Sequence, residues 1–199
     1  MVGKTAEERD EMGKVCIFFA PGYEEIEALA VVDLLRRAGI DTDMVSVTQE
    51  YEVTSSHGVT VKMDKLFDEV DFRTVDMIVL PGGMPGTKNL EAYEPLMEAL
   101  DAFYKEGKCI GAICAAPSIL GHRGMLKGRK ACSFPEFESH LEGAEVTENP
   151  AEVSDFIITG RGMGCAVDFG LAIVEKFQGE EAAAALAGKV VYGHYQARV

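Results

Sequence analysis

From Lys14 onward, short, wholly apolar runs alternate with stretches whose apolar residues recur every three to four positions. Val15–Ala20 and Met77–Leu80 are continuous apolar runs, as expected of strands covered on both faces. Between them, Ile26, Leu29, Ala30, Val31, Val32, Leu34 and Leu35 predict a helix that stops at Gly39, a residue suited to a left-handed helix end. Further strands are expected at Asp43–Val47 and Phe156–Thr159, with a hairpin strand at Val59–Met63. Helices are expected over Leu90–Tyr104, Val167–Phe177 and the Ala-rich Glu180–Leu186. Repeated βα units of this kind predict an α/β three-layer sandwich with a mainly parallel central sheet. The chain reads as one domain over 14–190, with a disordered N-terminal tail over 1–13 and a C-terminal tail over 191–199. The polar stretch Glu142–Glu152 is the only linker-like segment.

In open α/β sheets, sites form beyond the C-terminal ends of the strands. Three loops occupy such positions: Pro21–Glu27, Pro81–Gly86 and Cys114–Pro117. The last carries the strongest chemical signal. An apolar strand pattern ends abruptly at Cys114, small residues follow, and Pro117 opens a helical pattern. This is the layout of a nucleophile elbow, with a thiol in place of the serine of hydrolases. A helix N-terminus beneath it would favour the thiolate. A cysteine packed as a small hydrophobe at a strand end fits the same pattern.

Glu24, Glu25 and Glu27 open a helix, where acids complement the dipole. Glu27 lies beside the apolar stripe, and turned inward it would hold a raised pKa through desolvation. Spacing alone leaves it a solvated helix acid. The Pro81-Gly82-Gly83 turn can expose the N–H of Gly83 to pair with that of Ala115 in an oxyanion site, or it can be only a tight turn. It is not a P-loop, since Lys88 does not follow the glycines at the required spacing. Gly160–Gly164 misses the dinucleotide fingerprint and reads as a turn into the next helix. His57, His122, His140 and His194 are candidate bases for the cysteine, but none adjoins it in sequence and each reads as a polar surface residue.

The net charge of −14 argues against nucleic acid or an anionic membrane as a main partner. Five cysteines without a CxxC pair or zinc-like spacing read as reduced thiols, which places the protein in the cytoplasm and predicts no metal. The charged Met1–Gly13 segment does not read as a signal peptide, and no apolar run approaches membrane-spanning length.

Taken together, Ala20–Glu27, Asp33–Gly39, Leu80–Gly83, Ala112–Pro117 and Thr159–Gly164 resemble the ThiJ/PfpI superfamily, in the branch of the parkinsonism-associated deglycase and the bacterial ThiJ-like proteins. The likeness runs from about Lys14 to about Ala187, with the motifs in the family's order. It implies a flavodoxin-like fold and a homodimer, to which the Ile26–Arg37 helix would contribute cross-subunit pairs through Asp33, Arg36 and Arg37. It also implies that Cys114 is the elbow cysteine, Glu27 a buried acid in contact with it, and Gly83 and Ala115 backbone donors beside the sulfur. Two departures matter. Ala115 stands where the protease-like branch has His, which removes the peptidase reading. Phe134 stands where the animal deglycase-like proteins carry His, which removes one proposed base.

Two functions follow from the resemblance. One is a cofactor-independent enzyme of the glyoxalase or deglycase type, in which Cys114 attacks α-oxoaldehydes or their adducts. The other is an oxidative-stress sensor or chaperone, in which Cys114 oxidises to a sulfinate.

Overall fold

The computed structural model describes residues 13–193. Its centre is a seven-stranded sheet in the order β10-β11-β7-β6-β1-β2-β5. These strands are β1 Lys14–Phe19, β2 Asp41–Ser46, β5 Lys65–Leu66, β6 Met77–Leu80, β7 Cys109–Ile113, β10 Ala151–Ser154 and β11 Ile157–Gly160. All neighbours pair parallel except β10 with β11. A hairpin of β3 Glu52–Thr54 and β4 Thr60–Lys62 stands apart, as does the short pair β8 Lys130–Ala131 and β9 Glu145–Val146.

Strand β1 shows why the runs are wholly apolar. Val15, Ile17 and Phe19 face one core with Val31, Leu35 and Phe169, whereas Cys16 and Phe18 face the other with Leu96, Leu100 and Leu120. The period-two alternation of side chains feeds both cores from a single strand. The first core is closed by α1 Glu25–Ala38, α5 Ala166–Gln178 and α6 Glu180–Lys189. On the other face lie α3 Glu94–Glu106 and α4 Pro117–His122, with α2 Gly86–Glu91 preceding them. Helix α1 ends as expected: Gly39 has φ 79° and its N–H caps Leu35 and Arg36 carbonyls.

Several expected elements shift. The Leu90–Tyr104 helix is two helices, α2 and α3, split at Ala92–Tyr93. Pro95 has no N–H to donate to the Glu91 carbonyl, so a continuous helix would fail there. The linker-like 142–152 stretch instead holds β9 and the start of β10, tied by Glu152, which accepts from Thr147 Oγ1 at 2.7 Å and Asn149 Nδ2 at 2.5 Å. The expected N-terminal tail, Gly13 apart, and residues 194–199 with His194 lie outside the described residues. The chain is held as far as Tyr192, whose hydroxyl donates to Asp168 Oδ2 at 2.6 Å. Asp33 and Arg37 pair with each other at 2.6 Å, and Arg36 pairs with Asp64, so these expected cross-subunit groups have partners within the chain. No helix among the described residues is long and apolar enough to cross a membrane.

Candidate active site

The three loops converge at the C-terminal edge of the sheet, around Cys114. This cysteine has φ 65°, a left-handed conformation that costs a side-chain-bearing residue on the order of 1–2 kcal/mol. Neighbouring strands and loops hold it there. Its N–H donates to the Gly160 carbonyl at 2.9 Å, and its carbonyl accepts from the Phe134 N–H at 2.9 Å. The sharp turn into α4 follows, with the Ala116 N–H donating to the Ile113 carbonyl at 3.1 Å. The side chain is half-buried, and the backbone N–H groups of Ala115 and Gly83 hydrogen-bond its sulfur.

Glu27 is the acid beside that sulfur. It is 1% exposed, whereas the neighbouring Ile26 is 51% exposed. Glu27 is thus the buried acid that the family resemblance implies and not the solvated acid that spacing alone suggests, while Ile26, expected in the core, is exposed. Helix geometry explains it: Glu27 lies four residues before Val31 and eight before Leu35, on the stripe that faces the core. The acid occupies a hydrophobe's position. Burial pushes its pKa up to about 7, and the nearby charge of Glu24 adds to the rise. Hydrogen bonds from Cys114 and from the Gly82 N–H, the latter at 3.0 Å, only partly oppose this.

Burial also pushes the Cys114 thiol up, followed by the charge of Glu27 and its hydrogen bond. The N–H donors of Ala115 and Gly83 pull the other way without overcoming it. A thiolate favoured simply by the helix N-terminus is thus not what the structure shows. Helix α4 begins three residues after the sulfur-bearing residue, and burial, reinforced by the carboxylate beside the thiol, outweighs it. Cys114 and Glu27 form a coupled pair in which a proton on Glu27 removes the charge that holds the thiol protonated.

Gly82 was not legible as a site residue. A Cβ there would sit 2.6 Å from Glu27 Oε2 and 2.7 Å from the Cβ of Cys114. Only hydrogen in place of a side chain lets acid and thiol meet across this backbone. The Pro-Gly-Gly turn carried the signal, since two adjacent glycines beyond a buried strand mark a close approach as well as a bend. Gly82→Ala is expected to lose activity and about 1–3 kcal/mol of stability. A denaturation midpoint and activity matching the parent would show that the site relaxes without cost.

Phe134 lies beside the elbow, exposed, with its ring 3.5 Å from where a Gly162 Cβ would be. No histidine among the described residues acts on the Cys114 sulfur. His57 stands by Glu24 and Glu25, while His122 pairs with Glu91 at 2.6 Å and His140 at 2.9 Å. Glu24 is less solvated than its first-turn position predicts, with its side chain 12% exposed.

The DJ-1/PfpI family profile matches residues 13–176. The chain belongs to this family. Among solved structures it is similar to oxidized DJ-1 of Toxoplasma gondii, at 37% identity and a TM-score of 0.87, covering 92% of this chain and all of the other. Among curated proteins it is 38% identical over 169 residues to DJ-1 homolog B of Arabidopsis thaliana, covering 84% of this chain and 39% of that one. It is 33% identical over 159 residues to the glutathione-independent glyoxalase DJR-1.2 of Caenorhabditis elegans, covering 79% and 84%. It is also 33% identical over 140 residues to deglycase TK1284 of Thermococcus kodakarensis, covering 70% and 83%. The chain spans about two fifths of the length of the Arabidopsis homologues. The parallel sheet, the order of the loops and the elbow thus belong to a DJ-1/PfpI-type, flavodoxin-like domain.

Proposed function

We propose that the protein is a cysteine-dependent enzyme of the DJ-1/PfpI family acting on α-oxoaldehydes or their adducts. The observation that carries this is the buried acid, with its pKa near 7, against a cysteine held at positive φ. Proton transfer from Cys114 to Glu27 leaves a thiolate that faces the N–H groups of Gly83 and Ala115. The sulfur attacks the aldehyde carbon and gives a hemithioacetal, whose oxygen those donors steady. Glu27 returns the thiol's proton to that oxygen, and then, as carboxylate, takes the proton from that carbon and delivers it to the neighbouring one, while the hydroxyl proton passes to the neighbouring carbonyl oxygen. The product is a thioester of the 2-hydroxy acid, and water releases the acid and regenerates the thiol. No net oxidation occurs, because one carbon is oxidised as its neighbour is reduced. The C. elegans relative's name, a glutathione-independent glyoxalase, supports this reading. The test is lactate formation from methylglyoxal by the purified protein without glutathione; no lactate above buffer would overturn it. We place the protein in the cytoplasm, as a homodimer, with a small aldehyde or glycated adduct as its partner.

A second role is favoured by the same acid. With its pKa near 7, Glu27 is available as a neutral donor to a sulfinate oxygen on Cys114. Graded peroxide should therefore oxidise Cys114 first and stall at two added oxygens. Two of the rivals are shut away from solvent. Cys16 is wholly buried, and Cys132 is buried with its Sγ donating to the Thr159 carbonyl at 3.4 Å. Cys109, expected to be shielded, is half-exposed, but no backbone N–H of the described residues acts on its sulfur as those of Ala115 and Gly83 act on that of Cys114. Half-exposed Cys165, the first residue before α5, is the one to watch. Peptide mass spectrometry showing dioxidation at Cys165 before Cys114 would defeat the idea.

A further inference from the structure

We propose that Glu24, Glu25 and His57 form a binding site for a borderline divalent transition-metal cation, with zinc as the type. One atom from each residue falls within a 4.8 Å cluster. His57 Nδ1 lies 3.2 Å from a Glu25 carboxylate oxygen and 3.6 Å from Glu24 Oε2. Ligands bound at about 2.0–2.1 Å in a tetrahedron stand roughly 3.3 Å apart, so the two distances from His57 are already near those of a bound ion. One imidazole and two carboxylates are also the donor set that borderline cations take, with the imidazole selecting against calcium and magnesium.

The three side chains are not a patch of solvated acids. The Glu24 and Glu25 side chains are 12% and 17% exposed, while His57 is 68% exposed and closes the cluster from the solvent side. Two adjacent half-buried carboxylates carry two negative charges, and a protonated His57 supplies only one positive charge. A dication with a neutral imidazole balances the site. The positive end of α1 opposes a cation with about half an elementary charge, which two carboxylates outweigh.

The ligands are also fixed before any ion arrives. Glu24 is pinned by its N–H donating to the Gly82 carbonyl at 2.9 Å. The turn that bears His57 is held by the Ser56 N–H donating to the Tyr23 carbonyl at 2.8 Å and the Val59 N–H donating to Ser55 Oγ at 3.0 Å. Ser56 Oγ stands 3.1 Å from His57 Nδ1 and 3.3 Å from Glu24 Oε2, within reach of a metal-bound water. Independently of the cluster, the wholly buried Tyr23 hydroxyl has no hydrogen-bond partner among the described residues and lies in the electrostatic field of Glu25. An ordered water on a cation at Glu25 would give it one.

Cobalt(II) is the probe, because its visible bands report ligand type. Titration into the full chain is expected to bind one equivalent, with d–d bands and no thiolate charge-transfer band. The same spectrum should appear in Cys114→Ala. His57→Ala and Glu25→Gln, each checked for fold by circular dichroism, should each weaken cobalt by at least about tenfold. Zinc should displace the cobalt. No cobalt uptake, bands that survive His57→Ala, or a thiolate charge-transfer band lost in Cys114→Ala would each overturn the proposal. The last outcome would place the metal on the elbow cysteine. None of these readouts depends on turnover of an aldehyde.

Discussion

Replacing Cys114 with alanine is expected to abolish aldehyde turnover, to below about one part in a thousand, while leaving the fold intact. The thiol supplies the bond-forming atom, and the hydroxyls beside Gly83 and Ala115, those of Thr87 and Ser118, are tied to the carbonyls of those two residues. The backbone geometry predicts a second effect. Alanine keeps a Cβ at φ 65°, so the strain of the elbow persists and stability should change little. Glycine at the same position removes the strain and should raise stability by about 1 kcal/mol over the alanine variant, while remaining inactive. Lactate assays and urea denaturation of the two variants separate the effects. Residual turnover above a tenth of the parent rate in well-folded Cys114→Ala would end the nucleophile assignment. Equal stability of the alanine and glycine variants would show that the turn is not strained.

The layered fold was legible because each apolar run feeds two cores and each helix one. Val15–Phe19 could be read as a doubly covered strand directly. The elbow was legible for a related reason, as the Gly111–Cys114 run stops against small residues and a proline. What escaped lies in places where one residue breaks the pattern of its own element. Glu27 reads as a surface acid until the helix phase is fixed by Val31 and Leu35, and Ile26 reads as core for the same reason. The acids at the start of α1 look alike in sequence. Only the tertiary neighbours, Gly82 and Cys114 for Glu27 and the His57 turn for Glu24 and Glu25, give them different chemistry. Two-residue strands such as β5, β8 and β9 leave no periodicity to detect. The position of Phe134 was visible, but its backbone bond to Cys114 was not, because it joins segments twenty residues apart.

Glu27→Gln is expected to weaken catalysis strongly and to stabilise the protein at neutral and alkaline pH. The ordinary carboxyl pKa is 4.5 and the folded value is about 7, raised first by burial. Below about pH 4.5 the group is protonated in the folded and the unfolded chain alike, so folding carries no charge cost. Between that pH and about 7, the unfolded chain releases the proton while the folded protein retains it, and stability falls as pH rises. Above about pH 7 the penalty is complete, on the order of 3 kcal/mol. Glutamine keeps an oxygen to accept the Gly82 N–H but carries no charge to desolvate. The variant should therefore match the parent near pH 4.5 and exceed it by about 2–3 kcal/mol near pH 8. The difference between the two proteins isolates this group from the other titrations of an acidic chain. Denaturation midpoints measured across that range would decide the matter. A gap that stays constant with pH would mean that Glu27 titrates as an ordinary carboxylate and is not the poised acid that catalysis at Cys114 requires. Turnover should meanwhile fall by at least about a hundredfold, since an amide cannot carry the proton from one carbon to the next. A stabilised but inactive variant is the signature of an acid that the fold holds in a hydrophobic position for its chemistry.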